Sequence, residues 1–194
     1  MLSVEGAKMV GKMVSMSARA GVLACALALS AASAVTPAWS QQPPPAPAPA
    51  AAPAPPPPYG PAITLDQAKR VMSAAELEAA KNSWTVAITI LDSGGNLVMF
   101  HKFDNAQLSA VTTSEGKART ALEFKLPSKA LDDAIAAGGA GMRLLALKDI
   151  TPLQGGILIL ADGKIVGAIG VSGALSAQDE QVAKTGADVL SKGM

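Results

Sequence analysis

From Ile63 onward, stretches with an apolar residue every three or four positions alternate with stretches that have one at every second position. Leu65, Ala68, Met72, Ala75 and Ala79 make a stripe at helical spacing, which predicts a helix over Ile63 to Lys81. Thr64 is its expected N-cap, and Gln67 three residues on completes a capping box. Trp84 to Leu91 then alternates, with Val86, Ile88 and Ile90 on one face, and reads as a strand. Ser93-Gly94-Gly95-Asn96 is a turn into a hairpin partner, Leu97 to Phe103, whose Leu97, Met99, His101 and Phe103 share a face by period two. Ser109 to Phe124 predicts a helix, supported by Glu115 and Arg119 four residues apart. A short helix over Ser128 to Ala137 follows Pro127 and stops at Gly138-Gly139. Met142 to Leu147 is apolar but too short to assign to helix or strand.

The last third is the most informative stretch. Ile157 to Leu160 and Lys164 to Val171 are apolar runs joined by Asp162-Gly163, a strong hairpin signal because a type I′ turn needs positive φ at both central residues. In the second run Ile165, Gly167, Ile169 and Val171 fall on one face, and Val166, Ala168 and Gly170 on the other. Glycine on both faces of a strand predicts close approach by another backbone, a helix or a flat ligand. Ala177 to Leu190 closes the chain as a helix with Val182, Ala183, Gly186 and Val189 on one side. The order helix, hairpin, helices, hairpin, helix predicts an α+β domain: a mainly antiparallel sheet of two hairpins flanked by helices.

Upstream of Ile63 the pattern changes twice. Lys12 and Arg19 precede an apolar run from Ala20 to Val35 and then Ala38-Trp39-Ser40, the layout of a secretory signal. We expect residues 1–40 to be that signal, 41–61 a Pro/Ala-rich linker in extended polyproline II form, and 62–194 the domain. The run is too short for a membrane span, so no transmembrane segment is expected after cleavage, and the expected location is periplasmic or secreted. In this reading Tyr59 is stranded in the linker.

Composition narrows the chemistry. The one cysteine, Cys25, lies inside the signal, so the mature chain is expected to have no disulfide, thiolate metal site or covalently attached c-type haem. Of 16 basic residues, Lys8, Lys12 and Arg19 fall in the signal, leaving 13; of 15 acidic residues only Glu5 does, leaving 14. That balance argues against a nucleic-acid partner.

His101 is the only histidine, and a neutral imidazole is the commonest haem or metal ligand. Met99 on the same face is a second conventional ligand. One histidine does not make a protein-only zinc site, so no structural metal is expected. Thr112, Thr113, Ser114 and Glu115 open the middle helix, where hydroxyls and free N–H groups bind anions. Lys117 and Arg119 lie one turn on and are candidates for pairing with carboxylates. Gly167, Gly170 and Gly173 follow a hairpin and have the wrong spacing for a dinucleotide fingerprint, and Ser172 lies outside a nucleophile-elbow motif. Glu76 and Glu78, like Asp132 and Asp133, read as solvated helix faces.

These motifs, in their order, carry a resemblance. Asn82-Ser83-Trp84, Asp92-Ser93-Gly94-Gly95-Asn96-Leu97, Lys117-Ala118-Arg119-Thr120-Ala121, the Gly155–Gly173 hairpin and Gln178-Asp179 with Val182-Ala183 together resemble the GlcG/HbpS-like family of haem-binding proteins, from Ile63 nearly to the chain end. The resemblance implies a profilin-like sheet flanked by helices, often in homo-oligomers, and a haem ligand, which with the signal segment predicts an exported protein that holds haem non-covalently. It also implies haem contacts near the start of the middle helix, including an oxygen ligand, here Thr112 or Thr113. The family is also described as haem-degrading, which keeps a haem-degrading or peroxide-active enzyme as an alternative. A third reading is a non-haem accessory or sensory module that binds a small organic acid or a partner protein. Leu158 stands where the family usually has proline, so the entry to the last hairpin is a point of departure.

Overall fold

The computed structural model of the chain describes residues 54–191. The signal segment and the first part of the Pro/Ala tract lie outside the described residues. In chain order the elements are α1 (Leu65–Lys81), β1 (Ala87–Asp92), β2 (Leu97–Lys102), α2 (Leu108–Phe124), α3 (Lys129–Ala136), a 3-10 helix (Gly139–Ala146), β3 (Gly156–Ala161), β4 (Lys164–Ser172) and α4 (Ser176–Ser191). The unassigned stretch Met142 to Leu147 is thus mostly the end of the 3-10 helix. The expected α+β architecture is present: one antiparallel sheet in the order β2-β1-β4-β3, with the two hairpins meeting where β1 pairs with β4. Among the described residues no helix is long and apolar enough to cross a membrane.

The sheet separates two apolar cores. On one face α1 and α4 cover Ile88, Ile90, Ile159, Ile169 and Val171. On the other, α2 covers Leu91, Ile165 and Ala168 with its own Ala118, Ala121 and Leu122. The capping box at α1 forms as the sequence predicts: the Thr64 hydroxyl accepts from the Gln67 N–H, and the Gln67 amide oxygen accepts from the Thr64 N–H at 2.9 Å. Leu65 is the exception in the predicted stripe, since it is 52% exposed.

Two β-bulges change which side chains share a face. Ile159 pairs with Gly167 but Leu160 pairs with Ile165, so Val166 is the extra residue on β4. Beyond it the pleat inverts. Ile165 therefore packs under α2, and Val166 joins the α1/α4 core. This corrects the strict alternation that put Ile165 with Gly167, Ile169 and Val171. In β2, Ile90 pairs with Met99 and Leu91 with Leu97, so Val98 is extra and Leu97 leaves the face of Met99 and His101. The other departure has little effect: β3 starts at Gly156 and runs through Leu158, which pairs with Ala168.

Tyr59 is not stranded. Where β1 ends, Pro58 to Gly60 continue along the free side of β4: the Ile165 N–H donates to Pro58 O and the Gly60 N–H to Ile165 O, at 2.9 and 2.8 Å. The Tyr59 hydroxyl donates to Leu122 O at 2.7 Å, and Lys125 Nζ sits 4.2 Å from the ring centroid. The period-two signal that finds strands is missing here, because proline masks it. A chain that begins at Ala62 loses three hydrogen bonds and an aromatic contact. We expect it to unfold at lower urea than the full chain, by about 2–4 kcal/mol at about 1 kcal/mol per bond. An unchanged midpoint would show that this strap does not hold in solution.

Candidate functional site

His101 lies on β2, an edge strand, opposite Ile88, and its side chain faces α1. Its Nδ1 is 2.6 Å from Glu76 Oε1, and the two side chains are 49% and 35% exposed. In the neutral imidazole this fixes the tautomer: Nδ1–H donates to the carboxylate, and Nε2 is left with its lone pair toward solvent. A carboxylate behind an imidazole fixes its ring orientation, the usual support for a metal-binding histidine. The sequence offered Glu76 only as a solvated helix residue, because its partner is on a strand 25 positions away.

Met99 shares this face, opposite Ile90, and is partly buried with Trp84, Val98 and Phe103 at the edge of the α1/α4 core. Two residues along a strand put Met99 and His101 about 7 Å apart and pointing the same way. They cannot bind one iron from opposite sides, so the two are alternative ligands and not an axial pair.

The other candidates are on the far face of the sheet. Thr112 is exposed and Thr113 half-buried on α2. Thr112 and Arg119 line a groove of about 500 Å³ between α2 and Asp149–Thr151, together with Glu115 and Glu123. Arg119 donates to Glu115 Oε1 at 3.1 Å. One arginine among three carboxylates is a poor seat for two propionates. The structure thus does not bring Thr112, Thr113 and Arg119 together with His101.

Lys117 is neither a ligand-facing cation nor surface charge. Its side chain is 2% exposed, and Nζ donates to Asp179 Oδ2 at 2.8 Å and to Val171 O at 3.0 Å. Asp179 Oδ1 in turn accepts the Ala174 N–H at 3.0 Å. The pair ties α2, the end of β4 and the start of α4 together. Burial pushes the Asp179 carboxyl above the usual carboxylate range, against the pull of Lys117 and of the Ala174 and Gly173 N–H groups. Sequence spacing had no means to reveal a partner 62 residues away. At the hairpin turn, Asp92 is pulled below its usual range: partial burial raises it, but the N–H groups of Asn96, Gly94 and Gly95 and the Asn96 amide prevail.

The order of the sheet, the helices on both faces and the motif spacing together define a family. Residues 63–188 match the family model described as "Haem degrading protein HbpS-like", and the chain belongs to that family. Protein GlcG of Escherichia coli (strain K12) is 37% identical over 110 residues, which are 57% of this chain and 81% of that protein. The crystal structure of HbpS is similar with a TM-score of 0.62 and 31% identity, covering 68% of this chain and 92% of that one. The crystal structure of a PduOC:haem complex is similar with a TM-score of 0.60 and 25% identity, covering 66% and 94%.

Proposed function

We propose that this protein is an exported haem-binding domain that holds haem non-covalently, with His101 Nε2 as the protein ligand to iron. The observation that carries the assignment is the 2.6 Å contact between His101 Nδ1 and Glu76 Oε1, which orients the ring and leaves Nε2 free at an open sheet edge. Family membership and the similarity to the PduOC:haem complex support haem as the ligand. The residues present fit the group on chemical grounds. His101 supplies an imidazole nitrogen, and Met99 and Phe103 an apolar flank. Bound iron supplies redox and ligand-exchange chemistry; the chain's own part is to orient the imidazole and cover one side of the ring.

No cysteine follows the signal, which supports non-covalent binding, and the signal layout supports export. The expected homo-oligomer has support in Met142, Leu145, Leu147 and Leu153, all at least 43% exposed on one loop excursion. Three outcomes of a haemin titration of the full chain separate the readings. A saturable Soret band is expected. Its loss under peroxide or reductant, with a bilin-like product, would place the protein with the haem-degrading enzymes that the family description names. No band at all would overturn haem binding and leave the accessory-module reading.

A further inference from the structure

The α2 face holds two opposite charges, Arg119 and Glu123, that do not pair with each other. Arg119 and Glu123 are i,i+4 neighbours on α2, where Cβ atoms stand about 5–6 Å apart. Arg119 turns back instead to Glu115, through one end-on contact of 3.1 Å that leaves most of its five donors free. Glu123 makes no hydrogen bond or ion pair among the described residues. Both side chains line a cavity of about 270 Å³ whose other walls include Tyr59, Gly94, Gly95 and Leu122. Gly95 has φ +82, and a Cβ there would stand 3.5 Å from Arg119 Nη1, so the bare turn leaves the guanidinium accessible. The strap fixes the opposite wall, since the Tyr59 hydroxyl is held by Leu122 O.

We propose that this cavity binds a small zwitterion of the α-amino acid class. Its carboxylate lies on Arg119, its ammonium on Glu123, and its side chain against Tyr59 and Leu122. A simple anion is disfavoured because Glu123 faces the same space, and a simple cation because Arg119 does. A molecule with both charges meets the Glu123 carboxylate and the unused donors of Arg119 at once. The volume lies just below the usual range for ligand sites, about 300–1,000 Å³, which limits the ligand to a few heavy atoms beyond the zwitterion. The site is on the opposite face of the sheet from His101 and does not rest on haem binding.

The test is calorimetric titration of the full, haem-free chain with each proteinogenic amino acid alone, and with acetate and methylammonium as half-ligands. At least one amino acid is expected to bind, at least about tenfold more tightly than either half-ligand, a factor worth about 1.4 kcal/mol. Glu123→Gln and Arg119→Gln should each weaken that binding at least tenfold, and His101→Ala should leave it unchanged. Glu123 is exposed, so its variant keeps the fold, and the ligand-free melting temperature checks both variants. Acetate binding as tightly as the best amino acid would reduce the cavity to an anion site and overturn the proposal. So would binding that survives both substitutions, or no binding across the set.

Discussion

Gly170→Val is expected to be the most damaging single substitution on the sheet. A Cβ at Gly170 would collide with Ser114 O and would stand 2.6 Å from Ala118 N and 3.0 Å from its Cβ. All of these belong to α2, and two are backbone atoms, so no side-chain rotamer relieves the clash. Overpacking of a core that yields at side chains costs about 1–3 kcal/mol. Here the helix itself must lift from β4, and the loss is expected at or above the top of that range. Lifting α2 would also break the buried bond between Thr89 and Ser114 hydroxyls, 2.8 Å long. Gly138→Ala is the matched control. Nothing lies within 4 Å of a Cβ there, and the cost is limited to its backbone conformation, φ +74 and ψ −156, about 1–3 kcal/mol. Urea unfolding monitored by circular dichroism compares the two. An unchanged midpoint in Gly170→Val would mean that α2 is not seated on β4.

Lys117→Met should rival it. The substitution removes one member of an ion pair whose side chains are 2% and 3% exposed, and strands the Asp179 carboxylate in the interior. Breaking a buried pair in this way costs about 3–5 kcal/mol. Replacing both partners, Lys117→Met with Asp179→Leu, removes the stranded charge and should recover much of the loss. It should not recover all of it, because the Ala174 N–H loses its acceptor, a bond worth about 1 kcal/mol. If the double variant is no more stable than Lys117→Met, the pair is not the source of the damage. The pH dependence has a definite sign. Burial raises the folded-state value of Asp179 above its unfolded value of about 3.9. Between those two values the folded chain binds the extra proton, so this group's contribution to stability falls as pH rises through that window. In Asp179→Asn that component of the pH dependence should vanish.

The fold was legible because it rests on local patterns. The capping box at Thr64, the Asp162-Gly163 turn and the paired apolar runs each announce themselves within a few residues, and glycine on both faces of β4 announced the close approach of α2. What sequence missed depends on longer reach. Bulges at Val98 and Val166 shift the pleat by one residue, and a period-two reading has no signal for an inserted residue that is itself apolar. Lys117 reads as a candidate for pairing with a ligand carboxylate, and the carboxylate it does pair with, Asp179, is on a different helix. Tyr59 was set aside with the prolines around it, although it makes a wall of the Arg119 cavity. Of the site itself, His101 was visible as the lone imidazole; Glu76, which makes it a plausible ligand, and Glu123 were not, since neither lies in a motif.

The central claim is that His101 carries the iron, and the electronic spectrum of the haem complex in His101→Ala tests it most directly. The account predicts that the variant loses the imidazole-bound spectrum and binds haem more weakly, and that imidazole added to solution partly restores the spectrum. Glu76→Gln should shift the same bands less, because it removes the charge behind Nδ1 but keeps an acceptor there. A spectrum unaltered in His101→Ala but changed in Thr113→Val would contradict the assignment and move the iron to the α2 face.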